Sequence, residues 1–249
     1  MTDWPYGYGR RILEKVDSTL SEAARIAPGL TGPEWILGLH QTAARGRRGR
    51  PWTHPKGNFA ATLVIRPTGG PERAALRSFV TSLALFDACV TVTGRAEGFS
   101  LKWPNDVLLN GGKLAGILLE STGAPGQGSY LAIGIGVNLA DAPRAEDVEP
   151  GAVRPVSLLS ETGASVSPED FLTYLAVAYD RYETQFTTYG FEPIRQAWLA
   201  RAARVGEPIT ARLSNSETTG IFETVDGRGN LVLQTDNGRV SLPAAEIYF

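Results

Sequence analysis

The chain has a single cysteine, Cys89, in 249 residues. One cysteine excludes an intrachain disulfide and any cysteine-based metal cluster. Its neighbours read as an apolar helix, so it is expected to be a buried thiol. Two histidines, His40 and His54, are too few for a histidine-rich metal site. Lysine is nearly as scarce: four lysines (Lys15, Lys56, Lys102, Lys113) stand against twenty arginines. Arginine richness can follow codon usage and carries no functional weight alone, but scarce lysine makes each one inside a motif worth examining. An excess of positive charge is lacking too. A net charge of -2 and a pI of about 5.8 argue against general nucleic-acid binding, which usually brings a basic domain. No signal peptide is read at the start, and no apolar run is read as reaching transmembrane length. The expected location is therefore cytoplasmic, with no membrane partner. Internal repeats and low-complexity tracts are absent. What is present is 43% hydrophobic residues, enough for a core in one large domain or one domain plus a small one.

Gln41 to Asn58 carries four arginines (Arg45, Arg47, Arg48, Arg50) interleaved with Gly46 and Gly49, then Pro51, Trp52 and Pro55. No helical or strand period runs through it. Glycine lets a backbone take positive φ and approach a ligand closely. Arginine presents fixed forks of donors that suit carboxylate and phosphate oxygens. Trp52 offers a face that can stack on a flat ring or shield it from water. A long irregular loop in an enzyme-sized domain is more often a binding loop than idle chain. The stretch by itself also fits a solvated or nucleic-acid-facing surface.

Around this loop the chain reads as a sheet with helices. Arg11 to Val16 is a short strand, followed by the capping residues Asp17, Ser18 and Thr19, with Glu22 placed as in a capping box. Trp35 to His40 and Phe59 to Arg66 are strands that enter and leave the arginine loop. Pro71 to about Val92 is a helix whose Leu76, Phe79, Val80, Leu83, Phe86 and Val90 make one buried face. Leu101 to Trp103, Val107 to Leu109, Leu114 to Glu120 and Tyr130 to Asn138 are strands, the middle pair joined by a hairpin at Asn110-Gly111. Glycine alternates with isoleucine at Gly134 and Gly136, which suggests close approach of another backbone or a ligand. Residues 140–155 are a polar, proline-rich loop. Pro168 starts a helix with Phe171, Leu172, Leu175, Ala178, Tyr179, Tyr182 and Phe186 on its core side, and a second helix covers about Pro193 to Ala203. From Gly206 on, four short strands (209–213, 219–225, 230–235, 239–242) separated by Asp/Asn-Gly turns predict a small all-β module with no evident site. The fold class is α+β: a mixed, mostly antiparallel sheet packed by helices, with a small C-terminal SH3-like β-barrel. The domains are 1–204 and 205–249.

Two further stretches stand out. Lys102-Trp103-Pro104-Asn105-Asp106 gathers a cation, a large ring, a rigid turn, an amide and a carboxylate. Gly111-Gly112-Lys113-Leu114-Ala115-Gly116 places a lysine beside a hairpin and lacks the spacing of a P-loop. Each has a plain reading as a turn. In this order, Asp17-Ser18-Thr19, Gln41 through Trp52, Lys102 through Asp106, Lys113 through Ile117 with Glu120, and Gly134 through Asn138 resemble the biotin protein ligase family. Pro155-Val156-Ser157-Leu158 is a weaker match. The resemblance covers the chain from about residue 10 to its end, and it is to the single-function type without an N-terminal DNA-binding domain.

The resemblance implies activation of biotin with MgATP to biotinyl-5′-AMP, then transfer of biotin to a lysine of a biotin carboxyl carrier domain of a carboxylase. It implies Lys113, Arg47 and Asp106 as catalytic residues. It implies Ser18, Thr19, Gln41, Arg45, Gly46 and Gly116 as biotin-binding residues. Arg47, Arg48, Arg50, Trp52, Lys102, Asn105, Lys113 and Asn138 would hold ATP or the adenylate, and the Asp106 region is where Mg2+ would be sought. Cations suit this chemistry because two anions, a carboxylate and the α-phosphate, must be brought together. The loop is expected to order over the adenylate and shield it from water. Two residues depart from the family pattern: Leu20 stands where asparagine is usual, and Ala44 where glycine is usual. No operator DNA is expected as a partner, and a homodimer through sheet edges is open. The rivals are a lipoate or octanoate ligase or transferase, a nucleic-acid-binding module using the arginine loop, and a biotin-binding protein that has lost catalysis.

Overall fold

The computed structural model describes residues 3–122, 130–144, 148, 151–213, 216–243 and 245–248, with the side chains of Arg47 and Thr122 outside that description. Seven strands form one sheet: β1 (Gly9–Leu13), β2 (Glu34–Gly38), β3 (Phe59–Ile65), β4 (Phe99–Lys102), β5 (Asp106–Leu109), β6 (Gly112–Thr122) and β7 (Tyr130–Val137), in the order β1-β2-β3-β7-β6-β5-β4. Only β1 and β2 run parallel; the other pairs are antiparallel. The mixed, mostly antiparallel sheet is the one expected. The β5–β6 hairpin turns at Asn110 and Gly111, both at positive φ (50° and 75°), as the two-residue Asn-Gly turn requires.

One face of the sheet carries α2 (Pro71–Ala75), α3 (Arg77–Thr93), α5 (Pro168–Tyr189) and α6 (Phe191–Leu199); the other carries α1 (Thr19–Ile26). Trp35 of β2 meets Tyr179 of α5 edge-on at 5.8 Å, and Phe59 of β3 meets Phe171 at 5.0 Å. Leu20, Ala23 and Ala27 cover Ile36, Val64, Tyr130 and Ala132 on the opposite face. Burial on both faces is why all seven residues of β3 are buried and why its sequence does not alternate. Every residue expected on the core side of α5 is buried. In α3 the burial goes well beyond the expected stripe, taking in Thr81, Ser82, Ala84, Leu85, Ala88 and Cys89. Burial pushes the Cys89 thiol up to about 12.

Several expectations are corrected. The helix expected over 71–92 is two, α2 and α3, broken at Leu76; together Pro71–Thr93 is long and apolar enough to cross a membrane by length and composition, and here it lies against the sheet and α5 in the core. Ser18, not Thr19, is the N-cap of α1 and makes no side-chain cap, and Glu22 pairs with Arg25 at 2.7 Å instead of closing a capping box. The sequence reading missed α4 (Leu158–Thr162), whose Ser157 caps it by accepting from the Ser160 N–H. It also missed the last strand.

The C-terminal strands are β8 (Pro208–Arg212), β9 (Glu217–Val225), β10 (Leu231–Thr235), β11 (Gly238–Leu242) and β12 (Glu246–Tyr248). They form a five-stranded antiparallel sheet in the order β11-β10-β9-β8-β12, and the expected barrel closure is not among the described pairings. The module packs on the larger part: Trp103 Nε1 donates to the Gly229 carbonyl at 3.0 Å, and Arg195 Nη1 donates to the Val225 carbonyl at 3.0 Å.

Candidate active site

A row of small residues makes a depression in the sheet. Ala60, Gly136 and Gly116 are register partners across β3, β7 and β6, and Thr62, Gly134 and Leu118 are the next row on that face. A Cβ on Gly136 would come within 2.6 Å of the Trp52 ring, and one on Gly134 within 2.8 Å of Leu20. The alternating glycines therefore admit side chains: Trp52 from the arginine loop and Leu20 from α1. Leu20, one of the two departures from the family pattern, is a buried packing residue here.

Above this floor lies a cavity of about 400 Å³. Every residue expected at the site lines it except Arg47, whose side chain lies outside the described residues. The arginine loop is not wholly irregular. Arg47–Gly49 form a tight turn with Arg48 at φ 58° and Gly49 at φ 72°, both in the left-handed region. Gly46 N–H donates to the Arg50 carbonyl at 2.7 Å, and Trp52 N–H donates to the Ala44 carbonyl at 3.0 Å.

Four cations of the site, Lys113, Arg45, Arg48 and Arg50, each meet a carboxylate. Lys113 Nζ lies 2.9 Å from Asp106 Oδ1 and 5.8 Å from the centre of the Trp52 ring. Arg45 donates Nη2 and Nε to Glu120 at 2.8 and 3.2 Å and Nη1 to Ser21 Oγ at 2.8 Å. The hydrogen bond to Glu120 raises the pKa of Arg45. Arg50 Nη1 donates to Glu246 Oε1 at 2.6 Å and Arg48 Nη1 to Glu246 Oε2 at 3.1 Å. The hydrogen bond from Arg50, helped by Arg48, holds the Glu246 carboxyl below its usual range. These side chains are a quarter to a half exposed in most cases, so each pair contributes about 1 kcal/mol or less. An anionic ligand can displace such partners.

Lys113 is fixed by its backbone. Its N–H donates to the Arg154 carbonyl and its own carbonyl accepts from Val156, at 2.8 and 3.0 Å. Residues 154–156 are thus the clamp beside the lysine. Asn138 is buried; its Nδ2 donates to the Val156 carbonyl at 3.1 Å, while its buried Oδ1 has no hydrogen-bond partner among the described residues. Asn105 donates to the Ile117 carbonyl, which ties the Lys102–Asp106 turn to β6; the Trp103–Pro104 peptide in that turn is cis. At the other end of the cavity Gln41 Oε1 accepts from the Thr19 N–H at 2.8 Å and from Thr19 Oγ1 at 3.2 Å.

The sequence reading missed Glu246 and Tyr248. Both come from β12 of the module taken to have no site, yet Glu246, Ile247 and Tyr248 line the cavity. A three-residue strand next to the chain end carries no periodic signal. The only hint is a carboxylate in a chain whose main loop is rich in arginine.

The chain belongs to the biotin/lipoate A/B protein ligase family, whose pattern matches residues 9–138, and residues 205–249 match the biotin protein ligase C terminal domain. Among curated proteins it is 57% identical to the biotin–[acetyl-CoA-carboxylase] ligase of Paracoccus denitrificans, over 96% of this chain and 99% of that one. It is 29% identical to the bifunctional ligase/repressor BirA of Escherichia coli, over 94% of this chain and 74% of that protein. Among solved structures, the biotin protein ligase from Aquifex aeolicus in complex with biotin and ATP superposes with a TM-score of 0.81 at 23% identity, covering 96% of this chain and 97% of that one. This last likeness concerns the fold.

Proposed function

We propose that this chain is a biotin protein ligase, which activates biotin with ATP and transfers it to a carrier lysine of a biotin-dependent carboxylase. The observation that carries this reading is one cavity that gathers Lys113, Arg45, Arg48 and Arg50 over a glycine floor capped by Trp52. In the first step a biotin carboxylate oxygen attacks the α-phosphorus of ATP. The new P–O bond forms as the α–β bridge breaks and pyrophosphate leaves. In the second step the lysine amine attacks the mixed-anhydride carbonyl, an amide forms and AMP leaves. Cationic donors aimed at the developing charge lower the first barrier.

In this reading Thr19, Gln41, Ser18 and Gly116 take the biotin end, with Gly46 giving close backbone approach. Arg45 and Lys113, exchanging their carboxylate partners for ligand oxygens, draw the two anions together, with Arg47 beside them. Arg48, Arg50, Lys102, Asn105 and Asn138 take the nucleotide end. The unpartnered Oδ1 of Asn138 is an acceptor suited to a hydroxyl or an amine. Mg2+ would arrive on the ATP phosphates. Among the described residues no cluster of three or more His, Cys, Asp or Glu is present, and Asp106 is the carboxylate beside Lys113. That suits a magnesium ion held by one protein carboxylate and the substrate's own oxygens. We assign Asp106 a second role after pyrophosphate leaves, orienting the incoming amine. The same reading divides the chain at residues 204 and 205 and places it in the cytoplasm.

The test is mass spectrometry of the adenylate made from MgATP and an equimolar mixture of biotin, lipoate and octanoate. Biotinyl-AMP alone, lost in Lys113→Ala, is the expected result. Lipoyl- or octanoyl-AMP would overturn the substrate while leaving the chemistry.

A further inference from the structure

His54 stands between the two ends of the arginine loop. The Gln41 N–H donates to its Nδ1 at 3.2 Å, and its Nε2 lies 3.0 Å from the Asn58 carbonyl. A backbone donor on one nitrogen and a carbonyl on the other fit a neutral ring with the proton on Nε2. Both contacts continue outward. Gln41 holds Thr19 through its side chain, and Thr62 Oγ1 donates to Thr19 Oγ1 at 2.9 Å. Asn58, buried, accepts on Oδ1 from the Ala140 and Asp141 N–H groups at 2.9 and 3.0 Å and donates Nδ2 to the Asp141 carbonyl at 2.8 Å. Asp141 opens the 140–155 loop, whose Pro143 and Val148 line the cavity. A chain of polar contacts, carried across Gln41 and Asn58 by their covalent skeletons, thus runs from Thr19 to Asp141, and among the described residues His54 is its only side chain that touches both the entry and the exit of the arginine loop.

We propose that His54 is a positioning residue for the acid-binding end of the cavity: its neutral imidazole staples Gln41 to Asn58 and thereby sets Thr19, Gln41 and the neck of the arginine loop. Removing the ring takes the acceptor from the Gln41 N–H, while His40 and Thr42 on either side stay bonded to Val16, so Gln41 can turn within that bridge and the groups that receive biotin lose their register. Protonating Nδ1 has the same effect, because a donor would then face the Gln41 N–H. Burial, assisted by nearby His40 and opposed by the Asn58 carbonyl, holds the imidazole below its ordinary range and keeps it neutral near pH 7. This inference rests on the biotin ligase reading for its kinetic readout, and loop proteolysis gives a readout independent of it.

The experiment uses the full-length protein with His54→Ala, His54→Asn and His54→Gln. The KM for biotin and kcat for biotinyl-AMP formation are measured from mildly acidic to mildly alkaline pH, with trypsin cleavage of the loop in parallel. His54→Ala should raise the KM for biotin about tenfold with kcat within about twofold, the scale of two lost hydrogen bonds. Its loop should also be cut faster. His54→Asn, whose Oδ1 replaces Nδ1 as acceptor, should recover most of the KM. His54→Gln, which replaces only the Nε2 side, should not. Wild-type KM should climb as pH falls below the imidazole range, and the His54→Asn KM should stay flat. Unchanged KM and cleavage in His54→Ala would overturn the proposal. So would equal losses in all three variants, or the same pH profile in wild type and His54→Asn. If His54→Ala fails to fold, the comparison of wild type with His54→Asn decides by itself. If the wild type makes no biotinyl-AMP at all, the ligase reading fails, and loop cleavage alone then judges the staple.

Discussion

The floor and the roof of the cavity are built on different principles. The floor is β6 and β7, hydrogen-bonded on both sides, with Gly116, Gly134 and Gly136 leaving room for Trp52 and Leu20. The roof is the arginine loop, which has a few backbone bonds of its own and is otherwise tied by Arg45 to Glu120, by Arg48 and Arg50 to Glu246, and by His54 at its neck. Strand pairing and close packing do not exchange with a ligand. Half-exposed ion pairs do, because each is worth little and a ligand anion can replace the carboxylate. A site that must admit two anions and then shut out water needs a shape that does not move beneath charges that do.

The sharpest way to break this comparison is to remove a cation anchored to the floor. Lys113→Ala should cut adenylate formation about a thousandfold, read by pyrophosphate release, because a fixed donor at developing charge is lost. Filling the floor comes next. Gly136→Val puts a branched side chain where even a Cβ meets Trp52 at 2.6 Å. Adenylation should drop about a hundredfold while far-UV circular dichroism stays native, since the ring is displaced and the strand is not. A native rate would mean that Trp52 does not need its seat.

The roof should respond more mildly. Glu246→Gln should raise the trypsin cleavage rate within Arg45 to Arg50 about threefold to tenfold in the ligand-free protein, with biotin plus ATP restoring protection. Equal cleavage in the variant and the wild type would remove the latch. The same latch has a pH signature. The folded-state pKa of Glu246 is depressed, so its contribution is complete above the ordinary carboxylate range and is lost as pH falls through the lowered value. Cleavage by an acid-active protease should rise there in the wild type and not in Glu246→Gln. The smallest effect is expected at Asp17, whose pair with Arg25 is about half exposed at both ends. Its carboxyl is held below the usual range by the Arg25 hydrogen bond, yet solvent screening leaves the pair within about 1 kcal/mol, so Asp17→Asn should barely move the thermal midpoint.

Much of this architecture was legible in residue order. The stripes of α3 and α5 follow helical spacing, and Asn110-Gly111 names its own turn. The arginine loop, Lys102 through Asp106 and Lys113 through Gly116 are dense enough in special residues to be picked out, and they do converge on one cavity. Glu246 was not legible, because its partners Arg48 and Arg50 lie almost two hundred residues away and no local period marks it. The role of His54 was hidden for the same reason: it was one of two histidines until Gln41 and Asn58 were seen on either side of its ring. The apolar run 71–93 was read from its stripe as a core helix, and the packing agrees. Composition alone does not say whether such a helix faces lipid or, as here, a sheet and a second helix.

By itself the sequence determined the longer helices and most strands, the Asn-Gly turn and the residue types that meet phosphate and carboxylate, since propensity, hydrophobic period and side-chain chemistry are local properties. Tertiary structure alone decided which carboxylate restrains which cation, that glycines in β7 seat Trp52 and Leu20, and that the last strand of a small β-sheet completes the cavity. Those are contacts between distant segments, and only the packing of the whole chain brings them within reach.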